Sequence, residues 1–341
     1  MKNYAIIKPA RWESYPEALL SVIDGIKSFL KAECASGRSL LYARFFLSDA
    51  QNQAAALRGA CSAANIPEGN ISLIEQHPLD GSRISALVTT VSKPEEYSFC
   101  SLRLSDQEAA GKDSYQQTRM LFANYLDIIG PEGLSLHTHC VRTWIFVRDI
   151  DINYSGMVKA RNDVFAEEGL TTDTHFIAST GIEGGPEAKQ ALVAIDFLTC
   201  PQIAEADKTY LKGLSHLSPT RDYGVSFERG VRLRDSEGAH IYISGTASID
   251  HKGLILNEGS TPKQTDRLLE NIEVLLKEGG AGLEDVPYFV VYLRDISDAA
   301  KVDAYMQERF PQVPRVILYA RVCRPGWLIE MECEAPCDNG A

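Results

Sequence analysis

The feature that most restricts this chain is a repeat. An apolar run ending in an acid, just before a helical stretch, occurs three times: ARFFLSD (43–49), RTWIFVRDI (142–150) and VVYLRDI (290–296). A helix precedes each run (16–34, 115–130 and 263–280), a second helix follows (50–64, 154–169 and 297–310), and two further strands come after. In the third copy, KQTDRLLENIEVLLKEGG sets Leu268, Leu269, Ile272, Leu275 and Leu276 on one face and ends in glycines. That is the pattern of a helix laid on a sheet and stopped at its C-terminus. Such a chain has to bury one face of several sheets under helices. It is predicted to be α+β, with three divergent copies of one unit over residues 1–92, 93–205 and 206–341. The first copy has lost or reshaped its opening hairpin; residues 92–114 hold the opening strands of the second, and 200–222 bridge to the third.

Composition narrows the class. With 341 residues the chain has room for two or three cores. A formal net charge of −12 speaks against non-specific nucleic-acid binding, which needs a basic footprint. A local arginine cluster would still hold an anionic small molecule. No apolar run approaches the roughly 20 residues of a membrane span, and MKNYAIIKPARWESYPEALL lacks the apolar core and cleavage site of a signal peptide. The eight cysteines form no CxxC pair. The expectation is a cytoplasmic protein with reduced thiols.

Chemistry concentrates at the end of the chain. VPRVILYARVCRPGWLIEMEC (313–333) reads as a hairpin, Arg315–Cys323 and Trp327–Cys333 joined at Arg324-Pro325-Gly326. Alternation places Glu330 and Glu332 on one side of the second strand. The competing reading is a solvated face of cross-strand Arg–Glu pairs. Aligning ALVAIDF (191–197) with WLIEMEC sets Ala194 opposite Glu330, so only the third copy carries an acid there. One pocket per chain follows.

The third copy resembles the reactive-intermediate deaminase (Rid) superfamily through ISGTASID, the helix carrying Gln264 and Asn271-Ile272, VVYLRDI, Pro314-Arg315, and IEMEC with Glu330. Rid proteins are small α+β homotrimers. The resemblance implies a carboxylate-binding arginine at Arg315 and an acid at Glu330. A narrower resemblance is to the chorismatases, single chains in which three Rid-like (chorismate-mutase-like) units form a pseudo-trimer. It rests on Ile243–Ser248 (ISGTAS), Tyr154 with Arg161-Asn162, Ser179–Ile182 (STGI), and Cys323-Arg324-Pro325-Gly326-Trp327-Leu328-Ile329-Glu330. The chain departs from that pattern in YSGMVKARN, which lacks an aromatic-Asn pair between Tyr154 and Arg161, and in Asp250 after TASI.

The chorismatase resemblance implies cleavage of the enolpyruvyl ether of chorismate to pyruvate plus a hydroxybenzoate or dihydroxycyclohexadiene acid. Glu330 would be the proton donor, its pKa raised by burial beside apolar groups such as Trp327. Cys323 would act on the ring. Arg315 and Arg161 would clamp the two carboxylates, and Tyr154, Ser179, Thr180, Ser244, Gly245 and Thr246 would complete the substrate site. The alternative for each polar residue is an inter-unit salt bridge, a turn or a helix start, and for Cys323 it is packing. The reading needs no cofactor and no metal. The partner is an anionic small molecule, with neither nucleic acid nor membrane, and the chain would act as a monomer. His137-Thr138-His139-Cys140 has no fourth metal ligand at a telling spacing, and the glycine runs at 181–185 and 278–282 lack a phosphate-loop lysine. Two alternatives stay open: a Rid-type imine or enamine deaminase on a smaller acid, and a non-catalytic binding protein.

Overall fold

The computed structural model describes residues 2–10 and 14–337; Met1 and residues 338–341, at the outer limits of the first and third expected units, lie outside it. The first sheet has the order β1-β5-β2-β3, built from β1 (Lys2–Ile7), β2 (Ser39–Leu47), β3 (Ile71–Glu75) and β5 (Ile84–Val91), with β4 (His77–Pro78) leaving it. The second has the order β6-β9-β7-β8, from β6 (Ser98–Leu102), β7 (Cys140–Val147), β8 (Ala178–Glu183) and β9 (Val193–Thr199). The third repeats the order as β12-β15-β13-β14, from β12 (Gly238–Ala247), β13 (Phe289–Leu293), β14 (Arg315–Tyr319) and β15 (Ile329–Cys337). It is extended by β10 (Lys208–Leu211) and β11 (Gly230–Asp235) on one side and by β4 on the other. The fold is thus three α+β units of one topology in a single chain.

The helices match. Packed on the sheets are α1 (Tyr15–Ala35) and α2 (Ala50–Ala63), then α4 (Ser114–Ile129) and α6 (Ile150–Glu167) after the short α3 (Asp106–Ala109), with α5 (Leu136–His139) leading into β7, and finally α7 (Thr261–Glu278) and α8 (Ala299–Arg309). Ser14 starts α1 with a reciprocal cap to Glu17 and a proline in the first turn. The acid closing each anchor strand does not always cap. Asp49 and Asp295 accept backbone N–H groups of the following turn, whereas Asp149 is left-handed (φ 47°) and pairs with Arg321 instead. Before α8 it is Asp295 that accepts the Ser297 N–H, while the Asp298 carboxylate accepts from Thr261.

The three units close a ring. The first meets the second through the Glu75–Gly185 bridge and the Ser72–Asp196 hydrogen bond. The second meets the third through the bridges Ala178–Glu228 and Ile182–Val322. The third returns to the first where β14 pairs with β4, Leu318 opposite Pro78. A single apolar core fills the centre, with Tyr42 and Phe46 from the first unit, Trp144 and Phe146 from the second, and Tyr292 and Met331 from the third. Within it Glu332 takes Arg44 and Arg142, each at 2.9 Å, and Glu334 accepts hydroxyls from Tyr4, Tyr42 and Tyr288. Buried charges persist only with such partners, and these partners come from all three units.

Two expectations are corrected. The terminal hairpin does not form: β13 lies between β14 and β15, parallel to the first and antiparallel to the second. A parallel pair needs a crossover, which α8 provides between β13 and β14; residues 320–328 do not pair with β15 but form a connecting loop that touches β8 at Val322. The segment 92–114 carries one strand, β6, followed by α3, and not a pair. No helix of the described residues is long and apolar enough to cross a membrane.

Candidate active site

Register shows why one interface differs from the others. Phe46, Phe146 and Tyr292 hold the same place on the three central strands, opposite Ser85, Ala194 and Glu330 respectively. The acid is present in the third unit alone. Glu330 also pairs with Ala247 of β12, just past a bulge at Ser244-Gly245. The bulge lets Gly245 pass under the carboxyl: a Cβ at this position would collide with Glu330.

Around Glu330 the second and third units enclose a cavity of about 40 Å³. Tyr154, Arg161 and Ser179 come from α6 and β8; Phe227, Arg229, Gly245, Cys323, Trp327 and Glu330 come from the third unit. Arg161 and Arg229 are 2% and 5% exposed, and their guanidinium carbons lie 5.9 and 5.4 Å from the Phe227 ring centre. Arg229 donates to the Ser218 carbonyl at 3.0 Å. Trp327 donates to the Ser248 carbonyl at 2.9 Å, which turns its ring into the pocket wall.

The electrostatics favour a protonated acid. Burial, and after it the neighbouring Glu332 carboxylate, push Glu330 up to about 8 against the pull of Arg142 and Arg229. Among the described residues nothing hydrogen-bonds its carboxyl, so the proton is presented to the cavity. Burial and then Glu330 push the Cys323 thiol up to about 12, with a hydrogen bond from Tyr154 acting the other way. At neutral pH Cys323 is a thiol and not a thiolate nucleophile.

Four expected site residues stand elsewhere. Arg315 binds Asp303 and Gln307 at 2.8–2.9 Å. It lies on β14, which faces the first unit, so the fold separates it from Glu330, whose pocket faces the second. The Thr180 hydroxyl is spent behind the wall: it donates to Glu332 at 2.5 Å and accepts from Arg142 at 2.6 Å and from the Gly245 N–H at 2.9 Å. The Ser244 hydroxyl donates to the Glu228 carbonyl and accepts from the Ser179 N–H, and that of Thr246 donates to the Ser244 carbonyl. All three are buried; their polarity ties the bulge together. Glu330, Cys323, Arg161, Tyr154, Ser179 and Gly245 share the cavity.

Residues 226–337 match the family described as Endoribonuclease L-PSP. A RutC family protein of Pyrococcus abyssi is 36% identical over 100 residues, covering 29% of this chain and 79% of that protein. One of Pyrococcus horikoshii is 33% identical over 98 residues, covering 29% and 78%. The chain belongs to the RutC family, within the Rid superfamily. A crystal structure of a chorismatase superposes with a TM-score of 0.70 at 17% identity, covering 98% of both chains. That likeness is one of fold, and it extends over all three Rid-like units.

Sequence reasoning missed Arg229 and Phe227 in the third Rid unit. They lie just before β11, in a stretch too short to show alternation, and only the fold brings them against Arg161. His137 and His139 stay outside the site. His137 packs edge-on to His175 at 4.6 Å, and the His139 ring accepts the Ser135 N–H at 3.0 Å. Among the described residues no His, Cys, Asp and Glu side chains group in a way that could hold a metal ion.

Proposed function

We propose that this Rid-family protein is a chorismatase-like enzyme that cleaves the enolpyruvyl ether of chorismate, releasing pyruvate and a hydroxybenzoate or dihydroxycyclohexadiene acid. The observation that carries the reading is a carboxyl held protonated near neutral pH in a cavity walled by two buried arginines from different units. Glu330 gives its proton to the methylene carbon of the enol ether. The resulting oxocarbenium ion is trapped at the ether carbon. Water adds to that carbon and returns one proton to Glu330, giving a hemiketal; the hemiketal hydroxyl proton then passes to the ring oxygen as the C–O bond to the ring breaks, releasing pyruvate and the ring alcohol. Arg161 and Arg229 take the two carboxylates as bidentate partners. Cys323, held as a neutral thiol beside Tyr154, acts at the ring and bears on which ring product forms.

The geometry favours this over deamination of a small acid. As the resemblance implies it, that activity places an arginine at position 315 and an acid at 330 in one pocket, and this fold puts them on different interfaces. The test is incubation of pure protein with chorismate, with pyruvate followed enzymatically and the ring product identified by chromatography. Pyruvate at several turnovers per enzyme is expected. Its absence, with turnover of an imino acid instead, would replace this reading with the deaminase one.

A further inference from the structure

The cavity at Glu330, about 40 Å³, is too small for the ligand class proposed. A buried water needs about 10–15 Å³ by the same measure; a few waters fit, and a ring acid bearing a three-carbon ether does not. One residue layer away lies a second cavity of about 190 Å³. Phe227 and Arg229 are walls of both. Its other walls include Thr171, His175, Lys212 and Arg221.

The cover of this second cavity is the segment joining β10 to β11. It is bounded by Gly213 (φ 57°) and Gly224 (φ 83°), in a backbone region that glycine occupies without strain. Leu217 seats it in the central core, and in place of a strand ladder polar contacts hold the rest to the body. Arg229 donates to the Ser218 carbonyl and Arg267 to the His216 carbonyl, both at 3.0 Å, and Asn162 donates to the Gly224 carbonyl at 3.2 Å. Arg229 therefore serves two places. A carboxylate binding it in the inner pocket would share that guanidinium with the Ser218 carbonyl, which links the ligand to the cover through one side chain.

The charge of the outer cavity suits an anion. Lys212, Arg221 and Arg229 are set against Glu228, whose carboxylate accepts the Phe176 N–H at 2.9 Å and is pushed up by burial. Asp222, exposed and not among the cavity's walls, pairs with Arg221 at 3.8 Å. In a chain of net charge −12 such a patch has to be local to draw an anion in.

We infer that the 190 Å³ cavity is an access site for an anionic ring acid, with Lys212 and Arg221 drawing it in and Phe227 and Arg229 gating its passage to Glu330. The ligand class rests on the chorismatase-like reading; the route does not depend on turnover.

The test uses full-length protein and chorismate, with binding followed by stopped-flow tryptophan fluorescence, since Trp327 is a pocket wall. The double variant Lys212→Ala, Arg221→Ala changes two exposed side chains and is expected to fold as the wild type does. It is expected to slow association about five- to tenfold at low salt and to flatten its salt dependence. Phe227→Ala is expected to speed association and dissociation together. The two readings fail separately. Salt-dependent association that needs Lys212 and Arg221, without pyruvate release, keeps the route and removes the reaction. Pyruvate release with association rates indifferent to both substitutions and to salt keeps the reaction and removes the route. A wild type that binds no chorismate overturns both.

Discussion

Glu330 and Glu332 leave β15 on the same face, two residues apart, and are driven to opposite protonation states. Burial pushes both up. Glu332 has Arg44 and Arg142 at 2.9 Å, which outweigh burial and hold it below the usual carboxyl range. Among the described residues Glu330 has no such partner, and burial together with the Glu332 charge pushes it up to about 8. Environments that drive paired acids apart identify which one gives a proton and which one holds charge.

Replacing Glu330 by Gln removes the transferable proton and keeps the shape. Pyruvate release from chorismate is expected to fall by about 10²–10⁴, with ligand affinity changed only a few-fold. Retention of more than about a tenth of wild-type turnover would place the acid elsewhere.

The same proton makes stability depend on pH. Between the ordinary value of 4.5 and about 8 the folded chain holds a proton on Glu330 that the unfolded chain has lost. Stability from this group is therefore greatest below the ordinary range, falls as pH rises through that window, and levels off above it. Thermal melts should show Glu330→Gln gaining on wild type from pH 5 to 8, with no further gain by pH 9. A constant difference across that range would contradict the assignment.

Glu332→Gln removes the neighbour that keeps Glu330 protonated and leaves Arg44 and Arg142 in excess. The basic limb of kcat/KM is expected to move to lower pH. Stability should drop by about 3–5 kcal/mol, the usual cost of stranding buried charge. Stability loss with an unmoved pH profile would make Glu332 purely structural.

Gly245→Ala places a methyl group where the Glu330 carboxyl sits. The carboxyl has to move, and a displacement of about 1 Å is worth roughly 10² in rate. Turnover should fall far more than thermal stability. Unchanged turnover would show that Glu330 acts from another rotamer.

Cys323→Ala tests the ring chemistry. Pyruvate release should persist in part while the identity of the ring product changes. Identical product profiles from wild type and variant would return Cys323 to packing.

The repeat was legible because its anchor strands are buried on both faces and so read as mostly apolar runs, each closed by an acid. The terminal hairpin was not, since adjacency in sequence looks alike whether two strands pair or flank a third. Alternation and the alignment with Ala194 drew attention to Glu330. The motif that drew attention to Arg315 could not say which interface its strand faces. Nor does a hydroxyl in a motif reveal whether it is spent, as those of Thr180, Ser244 and Thr246 are. Arg229 and Phe227 left no local signal, because they become neighbours of Arg161 only once two units dock.

Ring closure within one polypeptide has a further consequence. In an assembly of identical subunits every substitution is stamped into all the junctions at once, so an improvement at one is also a burden at the others. Here the three junctions are inherited separately. That freedom allowed Ser85 and Ala194 to settle where Glu330 stands in the third copy. Two seams became mortar while the remaining one kept a buried acid beside a cavity, and no dilution can pull that seam apart.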